Sequence, residues 1–195
     1  MLKVGITGGV GSGKTLICRV FEQLGINVYY ADTVATGIFY RQDIQHKLIL
    51  AFGTDVLDDS GTVNRKKLAS LVFTDKKLLD KLNGIIHPAV AEDTERWTGA
   101  HSDSVYVLKE AAILFESGTF TGLDKIITVC SPLEMRYDRM LKREGWKREE
   151  TELRMKNQWT DEEKIKRSDF VIYNDEQQLI LPQVLAIHSN LLAIR

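Results

Sequence analysis

The segment Gly8-Gly9-Val10-Gly11-Ser12-Gly13-Lys14-Thr15 constrains the chain more than any other. It satisfies G-x-x-x-x-G-K-[ST] and lies between the strand candidate Lys3 to Thr7 and a helix candidate, Lys14 to Leu24, in which Leu16, Ile17, Val20, Phe21 and Leu24 recur at helical spacing. Closely spaced glycines let successive backbone N–H groups turn inward around phosphate oxygens, and the new helix adds its positive end. Lys14 can reach between β- and γ-phosphates, and Thr15 can bind Mg²⁺. A bare turn accounts for one or two glycines, but not for the lysine and threonine. Gly9, Val10, Gly11, Ser12, Gly13, Lys14, Thr15 and Leu16 are therefore the candidate nucleotide-holding residues, with Thr15 the candidate metal ligand. The loop says that phosphates are held; what is done with them must be read elsewhere.

The rest of the chain supplies a sheet around that loop. Gly25 ends the first helix, and Val28 to Ala31 reads as a second strand, giving a strand–helix–strand unit long enough for parallel pairing. Extended runs return at Val105 to Leu108, at Lys125 to Cys130, which is β-branched and apolar as a covered strand should be, and at Phe170 to Tyr173. Between Asp32 and Gly99 the pattern is helical, with turn signals at Asp58-Asp59-Ser60-Gly61 and at Pro88, which predicts a new helix start after His87. Ser131-Pro132-Leu133-Glu134 predicts an N-cap serine with proline at the first helical position, and Thr160 to Glu163 predicts a capping box. A final apolar stripe runs through Leu181, Val184, Leu185, Ile187, Leu191 and Leu192. Strands alternating with helices predict a three-layer α/β domain on a parallel five-stranded sheet.

Composition narrows the partners. At 195 residues, the chain has room for one full domain and a smaller appendage. Its 26 Lys plus Arg against 27 Asp plus Glu give a formal charge of −1, so nothing global favours nucleic acid or an anionic membrane. Cys18 and Cys130 sit in apolar sequence without ligand spacing and read as buried thiols. No run reaches the ~18 apolar residues of a membrane span, and no signal-peptide pattern opens the chain, so a cytoplasmic protein is expected.

Other P-loop classes fit less well. No Asn-Lys-x-Asp follows a strand, and Asp58 to Gly61 reads as a turn rather than a GTPase switch. Asp32, at the end of the second strand, is placed to orient and deprotonate an alcohol, or alternatively to cap the next helix. Arg136, Arg139 and Arg143 fall on one helical face, and with the mixed charges up to Lys156 they suit either a mobile phosphate-facing lid, at about residues 143–160, or a solvated salt-bridged hairpin. Arg139 is the best catalytic candidate among them by spacing. His87, Arg65 and Glu116 could each face a substrate or pair locally. A phosphotransferase remains the leading class, against a nucleotide-binding protein without transfer, which would need no positioned base.

In order along the chain, Ile6 to Thr15, Ala31-Asp32, Val63-Asn64-Arg65 with Leu71-Val72-Phe73, Ile85-Ile86-His87-Pro88, Leu114-Phe115-Glu116, Arg136 with Arg139, Arg154 with Gln158, and Asp169 to Ile172 with Asn174 resemble the dephospho-coenzyme A kinases. The resemblance implies the P-loop nucleoside-triphosphate hydrolase fold, with a core formed by residues 1–31 and 100–195 and a helical acceptor-binding region at 32–99. It implies transfer of the γ-phosphoryl of ATP, with Mg²⁺, to the ribose 3′-hydroxyl of dephospho-coenzyme A, by a monomer or small homo-oligomer. Asp32 would be the base, Lys14 and Arg139 would act on the phosphates, and Arg139 and Asn174 would flank the adenine. Asp32, Arg65, His87, Leu114, Phe115 and Glu116 would line the acceptor side. The chain departs from the family pattern in keeping only the second acid of the Tyr30-Ala31-Asp32 segment, in Ala112 where proline is usual, and in Asp175 where a small residue is usual. A neighbouring P-loop kinase acting on a nucleotide or small alcohol is the alternative.

Overall fold

The computed structural model describes residues 1–72 and 75–194, so Phe73 of the expected signature lies outside the described residues. In chain order the elements are β1 (Leu2–Thr7), α1 (Lys14–Gln23), β2 (Val28–Tyr30), α2 (Ala31–Phe39), α3 (Gln42–Phe52), α4 (Arg65–Val72) and α5 (Lys76–Ala100). They continue with β3 (Tyr106–Glu110), β4 (Lys125–Cys130), α6 (Leu133–Glu144), α7 (Arg148–Met155), α8 (Asp161–Ile165), β5 (Phe170–Tyr173) and α9 (Ile180–Ala193).

The strands form one parallel five-stranded sheet in the order β2-β3-β1-β4-β5. Because every strand points the same way, all the carboxyl ends share one edge. The central strand β1 lies between β3 and β4; the chain leaves β1 for β2 on one side and later crosses from β3 to β4 on the other, and this reversal sets the switch point, where open α/β sheets bind ligands, beside the carboxyl end of β1. Val4 and Ile6 of β1, Leu108, Ile127, Val129 and Ile172 are buried with Ile17, Cys18 and Phe21 of α1 and with Val184, Ile187 and Leu191 of α9. Truncating one such residue, for example Ile17→Ala, is worth ~2–5 kcal/mol.

The chain divides into two compact units, residues 1–30 with 100–195 and residues 31–99. The second has its own core, in which Ile38, Phe39, Ile44, Leu48, Val56, Val63, Leu68, Val72 and Ala89 are buried. Within it, Asp58 Oδ1 accepts from Ser60 N, Ser60 Oγ and Thr62 N, and Gly61 takes φ 79°, so the Asp58 to Gly61 segment is a turn, as the sequence suggests.

Several local expectations need correction. Pro88 starts no helix; it sits inside α5, which runs unbroken through it. Leu78, Leu79, Leu82, Ile85 and Ile86 before the proline, and Ala89 and Val90 after it, pack into the same core, and this burial on both sides offsets the lost backbone hydrogen bond. In α6 the cap position is Pro132 rather than Ser131, whose hydroxyl accepts from Arg139 Nη1 at 2.9 Å. A charge-assisted bond to the arginine wins over a backbone cap. Of the final stripe, Val184, Ile187 and Leu191 are buried, whereas Leu181, Leu185 and Leu192 are exposed. The strand starting near Val105 continues to Glu110, and β2 ends at Tyr30, so that Asp32 lies inside the first turn of α2 rather than on a strand end or at a cap.

Candidate active site

The phosphate loop is shaped by what packs behind it. A Cβ on Gly8 would fall on the Val129 carbonyl, one on Gly9 on the Arg136 guanidinium, and one on Gly13 on the Asn174 amide. Gly13 is the N-cap of α1 at φ 95°, and no side chain caps that end. Leu16 N and Ile17 N both donate to the Gly13 carbonyl, and the helix dipole favours an anion at this end. Ser12 Oγ and Thr7 Oγ1 are buried without a hydrogen-bond partner, as in a cradle shaped for a polar guest.

Cations surround this cradle. Lys14 is buried, its Nζ donating to the Gly8 carbonyl at 2.9 Å and lying 4.0 Å from Glu110 Oε1. Arg136, also buried, donates from Nε to the Val10 carbonyl at 2.8 Å, and its Nη1 lies 3.5 Å from Asp161. Burial raises the Asp161 carboxyl above its ordinary value, and the facing Arg136 charge opposes that shift. Arg139 donates to the Gly11 carbonyl, to Ser131 Oγ and to the backbone and side-chain oxygens of Asn174, and the Asn174 amide donates to the Ser12 carbonyl at 2.8 Å. Arg139 and Asn174 are thus brought together against the loop from α6 and the end of β5.

Glu110 is the residue sequence reasoning missed. It ends β3, is 6% exposed, and pairs in register with both Ile6 of β1 and Tyr30 of β2. An acid closing the strand beside a phosphate loop is the usual second contributor to a Mg²⁺ site. The Lys109-Glu110 pair breaks the apolar run, and this hid the strand's true end. Thr15 is exposed at the start of α1. Among the described residues no group of three or more His, Cys, Asp or Glu forms a metal cage. The donor set of one hydroxyl and one carboxylate fits an ion that draws its other ligands from phosphate and water. Leu16, grouped with the loop by position, is also exposed, in the first turn of α1.

The other expected residues fall into two sets. Leu114 is fully buried, and Phe115 is 3% exposed with its ring stacked on Trp159 at 5.6 Å, so both contribute packing rather than open surface. Glu116 Oε1 accepts from Trp159 N at 2.7 Å and pairs with the buried Lys164 at 3.0 Å. Asp32, Arg65 and His87 belong to the helical unit, on α2, α4 and α5. Arg65 lies over the Phe39 ring at 5.9 Å, Asn64 Oδ1 caps α4 by accepting from Lys66 N and Lys67 N, and His87 is half-buried. In the basic stretch, Arg148 of α7 makes exposed contacts with α6, pairing with Glu134 and lying over Tyr137 at 4.1 Å, while Thr151 of α7 is buried and Arg154 lies over Trp146, in the turn between the helices, at 3.5 Å. Arg143 faces away, toward Glu144.

Residues 2–179 match the sequence profile of the dephospho-CoA kinase family. The chain belongs to the dephospho-CoA kinase family. A dephospho-CoA kinase from Fusobacterium nucleatum is 38% identical over 172 residues, covering 88% of this chain and 89% of that one. A crystal structure from Thermus thermophilus superposes with a TM-score of 0.88 at 31% identity, covering 97% of each chain. A dephospho-CoA kinase from Campylobacter jejuni, 22% identical over 96% of each chain with a TM-score of 0.69, shares the fold. This is the P-loop kinase arrangement, and within it the loop, Lys14, Glu110, Arg139 and Asn174 stand together at the carboxyl edge of the sheet. No helix among the described residues is long and apolar enough to cross a membrane.

Proposed function

We propose that this chain transfers the γ-phosphoryl of ATP to the ribose 3′-hydroxyl of dephospho-coenzyme A, releasing ADP and coenzyme A. The observation that carries the reading is the family match over residues 2–179 with the phosphate loop intact within it. The loop from Gly9 to Leu16 holds the phosphates, and Lys14 swings from the Gly8 carbonyl to the transferred group. Arg139 supplies fixed donors to charge that develops during transfer, and with Asn174 it borders the adenine.

Thr15 and Glu110 are the residues that would hold Mg²⁺. When bound, the ion neutralises β- and γ-phosphate charge. Asp32 takes the proton of the 3′-hydroxyl as the oxygen attacks, a role open to an exposed carboxylate in the first turn of a helix. The unit at 31–99 binds the acceptor, with Arg65 and His87 as its polar contacts, and Leu114, Phe115 and Glu116 are the acceptor-side residues of the sheet unit. Residues 143–160 form the lid, and their exposed ion pairs suit a segment that must move.

ADP production from Mg-ATP with dephospho-coenzyme A, AMP, a pyrimidine monophosphate and a sugar tests the reading. Turnover is expected with dephospho-coenzyme A alone. Efficient use of AMP or the sugar, with dephospho-coenzyme A inert, contradicts it.

A further inference from the structure

Val10 is held from both sides. Its N–H donates to Gln158 Oε1 at 2.9 Å, and its carbonyl accepts from Arg136 Nε at 2.8 Å. The two partners arrive from different directions: Arg136 from α6, and Gln158 from the segment between α7 and α8. Gln158 also uses its other end, since Nε2 donates to the Ala112 carbonyl at 3.1 Å, just past the end of β3. One amide side chain therefore ties a peptide of the phosphate loop to the strand end that carries Glu110.

The surroundings fix that side chain firmly. The next residue, Trp159, donates its backbone N–H to Glu116 and stacks its ring on Phe115 at an interplanar angle of 3°. Lys164 is fully buried, donates to the same Ala112 carbonyl and pairs with Glu116. Asp161 closes the circuit by pairing with Arg136. The carboxyl end of residues 143–160 is thus rooted in buried groups touching the loop, whereas the Arg148 ion pairs of α7 are exposed. An amide can accept and donate at once along a fixed line, so an apolar side chain of equal length cannot replace it. The usual proline at position 112 is not needed for this link, because the contact is made by the carbonyl.

We propose that Gln158 is a positioning residue that couples the phosphate loop to the lid: by holding the Val10 N–H and the Ala112 carbonyl together, it makes closure of residues 143–160 depend on how the loop is occupied. This rests on the kinase reading above. It predicts a kinetic signature that simple destabilisation does not produce. With Gln158→Met, kcat should fall ~10-fold or more while the KM for dephospho-coenzyme A stays within about twofold, as for a group that acts through loop and lid geometry.

The direct test of coupling needs no acceptor. Trypsin sites at Lys147, Arg148, Arg154 and Lys156 are exposed, so cleavage there, located by mass spectrometry with and without ADP, reports the lid. ADP should protect those bonds in the parent and fail to protect them in Gln158→Met. An unprotected parent, or a variant protected as well as the parent, overturns the proposal. Should Gln158→Met not fold, Gln158→Glu keeps an acceptor for Val10 N–H and sets a negative charge beside the phosphates, so the KM for ATP should rise ~5-fold or more. An unchanged KM there means residue 158 leaves the loop when nucleotide binds, and the proposal fails. Failure of the kinase reading would look different: the parent itself would not turn over dephospho-coenzyme A.

Discussion

The glycines of the phosphate loop and those inside the helices of the second unit lie under opposite constraints. In the loop, Gly8, Gly9, Gly11 and Gly13 are pressed against Val129, Arg136 and Asn174, and three of them have positive φ. In the helical unit, Gly37 of α2 and Gly84 of α5 have open space where a Cβ would sit and ordinary backbone angles. On the donor side Lys14 and Arg136 are buried against the loop, while the acceptor candidates Asp32 and Arg65 stand exposed on helices. Preorganised groups at the phosphates stabilise transition-state charge without reorganising, which is where a phosphotransferase gains most. An acceptor side tolerates looser construction because it mainly orients.

This contrast can be tested by substitution, beginning with the largest effect. Lys14→Ala should lower turnover by ~10³ with the fold retained, since a positioned cation on the transferred group is lost. A loss below tenfold in steady-state kinetics would place the catalytic charge elsewhere. Asp32→Asn should reduce turnover by ~10² or more while leaving ATP affinity nearly intact, by the arithmetic for a lost general base. Equal turnover would leave Asp32 as a charge at the start of α2. Gly8→Ala should cost at least ~2 kcal/mol of stability in chemical unfolding, because its Cβ meets backbone that cannot move aside. The smallest change runs the other way: Gly37→Ala should raise stability by ~0.5–1 kcal/mol through helix propensity. A destabilised Gly37→Ala together with a tolerated Gly8→Ala would dissolve the comparison.

What the sequence made legible follows from range. The loop, the strands Lys125–Cys130 and Phe170–Tyr173, and the Thr160 capping box are local patterns, and all of them stand in the structure. Contacts that close over long separations left no local trace. Ser131 looked like a cap because nothing in four residues shows that Arg139 reaches back to it, and Glu110 fell outside a strand candidate that stopped at Leu108. Pro88 looked like a helix start because the competing term, apolar packing on both sides of it, is tertiary. The same limit applies to Gln158, whose two partners lie 148 and 46 residues away.

In the proposed reaction the donor site delivers phosphate to one particular hydroxyl. Phosphorus NMR of the product formed from Mg-ATP and dephospho-coenzyme A tests it most directly. One new phosphomonoester resonance coupled to the ribose H3′ should appear in step with ADP. A phosphate on the 2′-hydroxyl or the pantetheine arm, or ATP consumed with dephospho-coenzyme A unchanged, would contradict it.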